Sequence, residues 1–417
     1  MPENAIASQS CLQERRSAGA TRDTAPTGLL RAFDWILKRY GIGGLHLTLP
    51  SGASSVVGQP SCPLEAHVAL KSYGALWKLA SRGALGFAES YMDGDFDTDD
   101  LRKVFEVYLA NEPAITRSFP SLNDTRARDR HYHLRRRNTL TGSRRNIAAH
   151  YDLGNAFYRL WLDAEMSYSS AIYLHPEMTL EEAQAHKQRE IVAALELQGG
   201  DRLLEIGCGW GALAERMARA GARVTATTIS NEQLAAARER IGDAGLEDEV
   251  EVRFEDYRLT SGTFDRIVSV EMIEAVGEEN WPVFFKTVNE RLAPGGVAVI
   301  QAITIREDAF AQYRENPDFI QRYIFPGGML PTIALMRQRA GEQGLGFETV
   351  ERFGLSYALT LADWRRRFEA AWPQIAKLGF DERFRRMWLY YLIYCEVGFE
   401  RGLIDVGLYR LRKPDVN

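Results

Sequence analysis

Apolar residues recur at two different spacings along the 417-residue chain, and the change from one to the other divides it. Near the start, Leu29, Leu30, Phe33, Ile36 and Leu37 follow a helical period. Leu45, Leu47 and Leu49 then alternate with polar residues as in a half-buried strand, and Pro50-Ser51-Gly52 turns the chain. A helix is predicted over Ala75 to Arg82. Thr98, followed by acids and by Leu101, Val104, Phe105 and Tyr108, predicts a capped amphipathic helix. These elements make a small α+β unit over 28–113, preceded by a polar tail over 1–27 that reads as disordered. Residues 114–145, rich in Arg, Ser, Thr and Asn, read as a linker or arm.

From 146 to 417 short apolar runs alternate with helical patterns. Strands are predicted at Arg202–Ile206, Ala222–Thr227, Val250–Phe254, Asp265–Val270 and Val297–Ile303. Helices are predicted after Gly211, from Ser230 to Ile241 and from Pro282 to Leu292. Such alternation implies an α/β fold with a parallel, doubly wound sheet. Its ligand belongs at the carboxyl ends of the strands.

Bulk composition narrows the partners. Lys+Arg total 51 against 56 Asp+Glu, a formal net charge of −5, which argues against a globally basic nucleic-acid binder. The four cysteines (Cys11, Cys62, Cys208, Cys395) lack CxxC spacing, so neither a zinc site nor a disulfide framework is expected, and a reducing cytoplasm fits. No stretch approaches the ~20 apolar residues of a membrane span. The first 27 residues lack the apolar segment of a signal peptide.

Local charge is less even. Arg126, 128, 130, 135, 136, 137, 144 and 145 face one acid, Asp129, with His131 and His133 among them. Basic groups recur at Arg365–Arg367 and at Arg383, Arg385 and Arg386. They read either as solvated faces or as a patch for anionic head groups, where each basic residue contributes ~1 kcal/mol.

Chemistry concentrates where the first parallel strand ends. Glu205-Ile-Gly-Cys-Gly-Trp-Gly211 spaces three glycines at i, i+2 and i+4. Glycine permits positive φ and close backbone approach to a ligand. The spacing is not the GxGxxG of dinucleotide binders; it is the form in which methyltransferases cup S-adenosylmethionine. Gly207, Gly209 and Gly211 are the loop candidates, with Glu205 before them. After the second strand, Thr228 and Gln233 offer neutral hydrogen bonds to a ribose. After the third, Glu255, Asp256 and Tyr257 offer partners for the adenine amine and a cover for its face.

Several longer motifs are collinear: His150-Tyr-Asp-Leu-Gly-Asn155, Tyr168-Ser169-Ser170-Ala171, the GCGWG loop, TISNEQ at 228–233, FDRIVSVEM at 264–272, Tyr323-Ile-Phe-Pro-Gly-Gly328, and Trp364, Phe368 and Trp372-Pro373. Together, over about residues 146–410, they resemble the cyclopropane fatty acid synthase family, and the small domain before them resembles that family's N-terminal domain. The resemblance implies transfer of a one-carbon unit from S-adenosylmethionine to the double bond of an unsaturated phospholipid acyl chain at the membrane surface. Cyclopropane fatty acids are the first product it implies; methylene- or methyl-branched, tuberculostearic-type chains are the alternative. A non-catalytic lipid-binding protein and a small-molecule methyltransferase are the competing classes, and the intact glycine loop argues against the former. The resemblance adds Tyr168 and Ser169 to the cofactor site. In the family a bicarbonate ion acts as base. Its implied partners here are Glu274, Tyr357 and the backbone at Ile303, with Ser170 and Gln301 standing where the family has cysteine and histidine, and Ala275 replacing another histidine. A neutral glutamine weakens anion binding, so bicarbonate is in doubt. Tyr168, Phe325, Tyr357 and Trp372 are candidates to shelter cationic charge. His150 and Tyr151 are candidates either to tether an active-site cover or to contact substrate, and His175 and His186 read as surface residues. No metal is expected. A peripheral site at the inner membrane face, a homodimer and, for a methylene product, a reductase partner complete the expectations.

Overall fold

The computed structural model describes residues 34–35, 38, 43–58, 64–118, 138–139 and 153–415, with no account of side chains at 112–118. The expected tail, most of the first helix, the arginine-dense arm with His131 and His133, and His150 and Tyr151 lie outside the described residues. So do Cys11 and Cys62.

Two compact units are present. One comprises 1–127 with 381–397, and the other 128–380 with 398–417. Residues 381–397, which the motif order had assigned to the catalytic region, therefore belong with the first unit. Within it, Tyr390 packs edge-on to Phe105 at 5.0 Å, and Arg386 pairs with Asp97.

The first unit has a four-stranded sheet in the order β2-β1-β3-β4, from β1 (Gly44–Thr48), β2 (Ser54–Gly58), β3 (Glu65–Leu70) and β4 (Phe96–Thr98). β1 is the expected strand, and after the turn at Pro50-Ser51-Gly52 it pairs with β2 as a hairpin, closed where Leu49 N donates to Ala53 O. Helix α1 (Gly74–Met92) runs beyond its predicted end because Gly83, at φ +55, kinks it rather than stopping it. Helix α2 (Leu101–Ser118) continues past the expected boundary at 113. Its cap differs from expectation: Asp100 Oδ1, not the Thr98 hydroxyl, accepts the Lys103 amide, while Thr98 Oγ1 takes the Asp100 amide.

The second unit is built on a seven-stranded sheet in the order β10-β11-β9-β8-β5-β6-β7. Here β5 is Arg202–Ile206, β6 Arg223–Thr228, β7 Val250–Phe254, β8 Phe264–Val270 and β9 Leu292–Ile305; β10 (Gly346–Arg352) and β11 (Ile404–Arg412) close one edge. β5 to β9 are parallel, as the alternation of strands and helices implied. β10 and β11 were absent from the sequence reading, and both pair antiparallel, so the sheet is mixed. β10 alternates half-buried and exposed residues and is an edge strand, which leaves no apolar run to find.

The chain leaves β5 toward β6 on one side and returns to β8 on the other. The crevice above the β5–β8 boundary is thus the topological switch point, where ligands of such sheets bind. Helix α3 (Leu180–Ala194), opened by a Thr179/Glu182 capping box, precedes the sheet. Helix α4 (Ala212–Arg219) follows the glycine loop and α5 (Asn231–Asp243) follows β6. Late in the unit, α6 (Trp281–Arg291) leads into β9 and α7 (Gly354–Lys377) follows β10.

Candidate active site

A cavity of about 200 Å³ opens at the switch point. The glycine loop forms one wall. Gly207, Gly209 and Gly211 hold φ of +83, +53 and +86, which glycine alone adopts without penalty. A Cβ on Gly207 would come 3.1 Å from Met272 Cγ, and one on Gly211 would come 3.1 Å from Ala237 Cβ. A Cβ on Gly209 would meet nothing within 4 Å, so there the backbone is open to the cavity. The HYDLGN motif contributes through Asn155: its Oδ1 accepts from Trp210 Nε1 of the loop at 2.7 Å, and its amide donates to Glu232 O at the start of α5.

The predicted cofactor residues converge on this cavity. Tyr168, Ser169, Glu205, the three glycines, Thr228, Gln233, Asp256 and Tyr257 are all close to it, and all but Gly211 line it. Thr228 Oγ1 donates to Gln233 Oε1 at 2.8 Å, a neutral pair in the ribose position. Asp256 differs from expectation in being already engaged, since both its oxygens accept from Arg258. Glu205 is buried with Oε2 unpartnered, and burial pushes its carboxyl up to about 8. A buried carboxylate oxygen facing a cavity is a ready acceptor for an ammonium group. These features fit the amino acid, ribose and adenine parts of S-adenosylmethionine.

Beside the loop lies a carboxylate cluster. Glu271 follows β8 in a left-handed backbone conformation, φ +46, an uncommon and strained state for a non-glycine residue. Its carboxylate is buried and held by three donors from distant parts of the chain. Oε1 accepts from Ser170 N at 2.8 Å and Gln301 Nε2 at 2.7 Å, and Oε2 accepts from Tyr357 OH at 2.7 Å. Burial raises its pKa, and those hydrogen bonds oppose the rise. Three residues on, Glu274 Oε1 accepts from Ile303 N at 2.5 Å while Oε2 is buried without a partner. Burial, then the charge of Glu271, pushes Glu274 up to about 8. The YIFPGG segment packs against this turn, with Met329 N donating to Glu274 O and Phe325 lining the cavity.

All five predicted catalytic residues therefore meet here, but two act differently. Ser170 presents its backbone amide, its hydroxyl being turned to Ala171 O. Gln301 is committed to Glu271 through Nε2. The residue to which the sequence reading gave no catalytic role is Glu271, whose carboxylate takes three of the donors expected to hold bicarbonate. A second anion would meet the Glu271 carboxylate, with the donors from Ser170, Gln301 and Tyr357 and the Ile303 amide already used, so the residues present do not fit that ion. Of the aromatic candidates, Tyr168 and Phe325 line the cavity. Tyr357 stacks on Phe399 beneath Glu271, and Trp372 packs against Phe368. His175 is exposed beside Glu177, whereas His186 is mostly buried, with a side chain 13% accessible and 3.7 Å from Glu190. The six arginines of the second basic group each have a carboxylate within 4 Å, which reduces the free charge they offer.

The profile of the mycolic acid cyclopropane synthetase family matches residues 138–408. The chain belongs to that family. Tuberculostearic acid methyltransferase UfaA1 of Mycobacterium tuberculosis is 39% identical over 355 residues, 80% of each chain. Cyclopropane-fatty-acyl-phospholipid synthase of Escherichia coli is 37% identical over 350 residues, 83% of this chain and 87% of the other. Among solved structures, mycolic acid cyclopropane synthase CmaA1 complexed with SAH and CTAB matches with a TM-score of 0.61 and 31% identity, covering 65% of this chain and 98% of that one. The protein is thus an S-adenosylmethionine-dependent methyltransferase of the cyclopropane synthase type.

Proposed function

We propose that this enzyme places the cofactor's methyl group on a double bond of an unsaturated phospholipid acyl chain, giving a methylene-branched chain that a separate reductase converts to a methyl branch. The observation that carries the reading is the Glu271 carboxylate seated on Ser170 N, Gln301 Nε2 and Tyr357 OH.

S-adenosylmethionine supplies an electrophilic methyl on a sulfonium. When the alkene's π electrons bond to that carbon, the carbon–sulfur bond breaks and the neighbouring chain carbon becomes cationic. Prompt loss of a proton from the new methyl closes a cyclopropane. A hydride shift first moves the cation to the methyl-bearing carbon, and loss of a methyl proton then gives a methylene group. The supply of unprotonated base decides between these fates. Glu271 is quenched by three donors, and Glu274, at about 8, holds its proton through most of the neutral range, so only its minor ionised form can act as base. That scarcity leaves the cation time to rearrange. In the ionised form Glu274 Oε2, without a protein partner, receives the proton. Tyr168 and Phe325 line the cavity and can face the positive charge.

The cyclopropane product is the second reading, favoured by the 37% identity to the E. coli synthase. Labelled S-adenosylmethionine and unsaturated phospholipid vesicles, followed by mass spectrometry, separate the two. A +14 product that takes up hydrogen at the new carbon, formed at a rate unchanged by bicarbonate depletion, is expected. A hydrogenation-resistant product overturns the methylene assignment, and no added carbon overturns the substrate.

Bilayer contact is proposed as peripheral and cytoplasmic. Among the described residues no helix is long and apolar enough to cross a membrane. The support is the Arg126–Arg145 segment of the sequence. It requires vesicle binding that rises with anionic lipid and falls steeply with salt.

A further inference from the structure

Helix α3 buries one stripe: Leu180, Ala183, Gln184, Lys187, Gln188, Ile191 and Ala194. A lysine on such a stripe is unusual, because desolvating an ammonium group is costly unless it is paired. Lys187 is only 4% exposed. Its Nζ donates to Ser169 Oγ at 2.8 Å, and no carboxylate of the described residues comes within 4 Å of it. One turn earlier on the helix, Gln184 Nε2 donates to Ser169 O at 2.9 Å, so α3 grips Ser169 at both its backbone and its hydroxyl. An ammonium group has three hydrogens to donate, and Ser169 uses one.

Lys187 also lines the cavity, together with Ser169 and with Glu205, whose Oε2 is buried without a partner. A buried cation with donors to spare and a buried carboxyl group with an acceptor oxygen to spare therefore border one space. The amino-acid end of S-adenosylmethionine carries the complementary pair, an ammonium and a carboxylate. We propose that Lys187, aligned by Ser169, binds the carboxylate of the cofactor's amino-acid end opposite the ammonium held by Glu205. Seating that carboxylate completes the donors of Lys187 and neutralises the cation. The helix then reads as a cofactor-binding element as well as a packing one. The inference rests on the cofactor and is independent of the acyl substrate and product.

The test compares two probes that differ in the carboxylate alone, S-adenosylmethionine and its decarboxylated form. Binding is measured by calorimetry on the full chain with no acyl acceptor present. The wild-type protein is expected to favour the carboxylated probe by ~10–100-fold, the range of one charge-assisted contact in a buried site. In Lys187→Met the preference should collapse to within about threefold, mainly by weaker binding of S-adenosylmethionine. Lys187→Gln keeps a donor for Ser169 and removes only the charge, so it carries the same comparison if the methionine variant does not fold. A neutral variant that keeps the full wild-type preference overturns the proposal, as does a wild-type protein that does not distinguish the two probes. A purely structural lysine would weaken both probes equally and leave the ratio unmoved.

Discussion

Glu274→Gln is expected to cut turnover steeply while making the protein more stable, and the two effects have one cause. Burial, then the charge of Glu271, pushes Glu274 from an ordinary 4.5 up to about 8. Below pH 4.5 the carboxyl is protonated whether the chain is folded or unfolded, so it adds no pH-dependent cost. As pH rises from 4.5 to 8 the unfolded chain ionises and the folded one holds its proton, so stability falls. At about 1.4 kcal/mol per pH unit, the cost is about 3 kcal/mol at pH 7 and about 5 kcal/mol above pH 8. Glutamine keeps the oxygen that accepts from Ile303 N and cannot ionise, so it removes that cost.

Denaturant unfolding at pH 5 and pH 8, with S-adenosylhomocysteine binding as a check on the fold, measures the effect. The variant and the wild type should lie within about 1 kcal/mol at pH 5 and diverge by several kcal/mol at pH 8, the variant being the more stable. Glu205, also raised to about 8, is present in both proteins and cancels from the difference. Turnover should fall ~10²–10⁴-fold, the contribution of a positioned proton acceptor, and wild-type turnover should climb with pH until it levels near 8. A variant whose stability follows the same pH slope as the wild type would refute the reasoning, because Glu274 would then ionise like an exposed glutamate.

Two further substitutions separate the halves of the site. Gly209→Ala puts a methyl group on a left-handed residue that has nothing within 4 Å; melting should show a loss of about 1–2 kcal/mol, with S-adenosylhomocysteine affinity falling at least ~10-fold by calorimetry. Tyr357→Phe removes the 2.7 Å donor to Glu271 Oε2 but keeps the ring stacked on Phe399; labelled-methyl turnover should drop ~10–100-fold with cofactor affinity unchanged.

The parts of the molecule that were readable in the sequence are those whose determinants are local. Each parallel strand carries a short apolar stretch, and the glycine loop, the Thr228–Gln233 pair and Asp256-Tyr257 follow their strands within a few residues, so linear order alone put them at one sheet edge. β10 and β11 escaped because their pairing is decided across the sheet, with Val406 opposite Ile303 and an exposed edge beyond. Asp100 replaced Thr98 as cap because both residue types accept helix amides, and only the position of the first turn chooses between them. Lys187 was legible in principle, as a charge in phase with the buried stripe of α3.

Glu271 escaped for a deeper reason, and the reason changes which residues should control the product. Nothing within four residues of it tells where its carboxylate goes; that depends on φ +46 and on donors at 170, 301 and 357. Residue identity pointed instead to Ser170 and Gln301, as replacements for a cysteine and a histidine. In the folded chain Ser170 contributes only backbone groups to the cluster, its amide to Glu271 and its carbonyl to Gln301, which any residue there would supply, and Gln301 contributes a single donor to Glu271. Both therefore act through the carboxylate. Ser170→Cys with Gln301→His should leave the product of labelled vesicle assays unchanged, because Glu271 still sits on Tyr357 and the 170 amide. Glu271→Gly suits the left-handed backbone, removes the carboxylate and frees all three donors for an external anion. It should make turnover respond to added bicarbonate and shift the +14 product toward the hydrogenation-resistant form. If the double variant switches the product and the glycine variant does not, control lies with the identities at 170 and 301, and the reading of Glu271 as the deciding group is wrong.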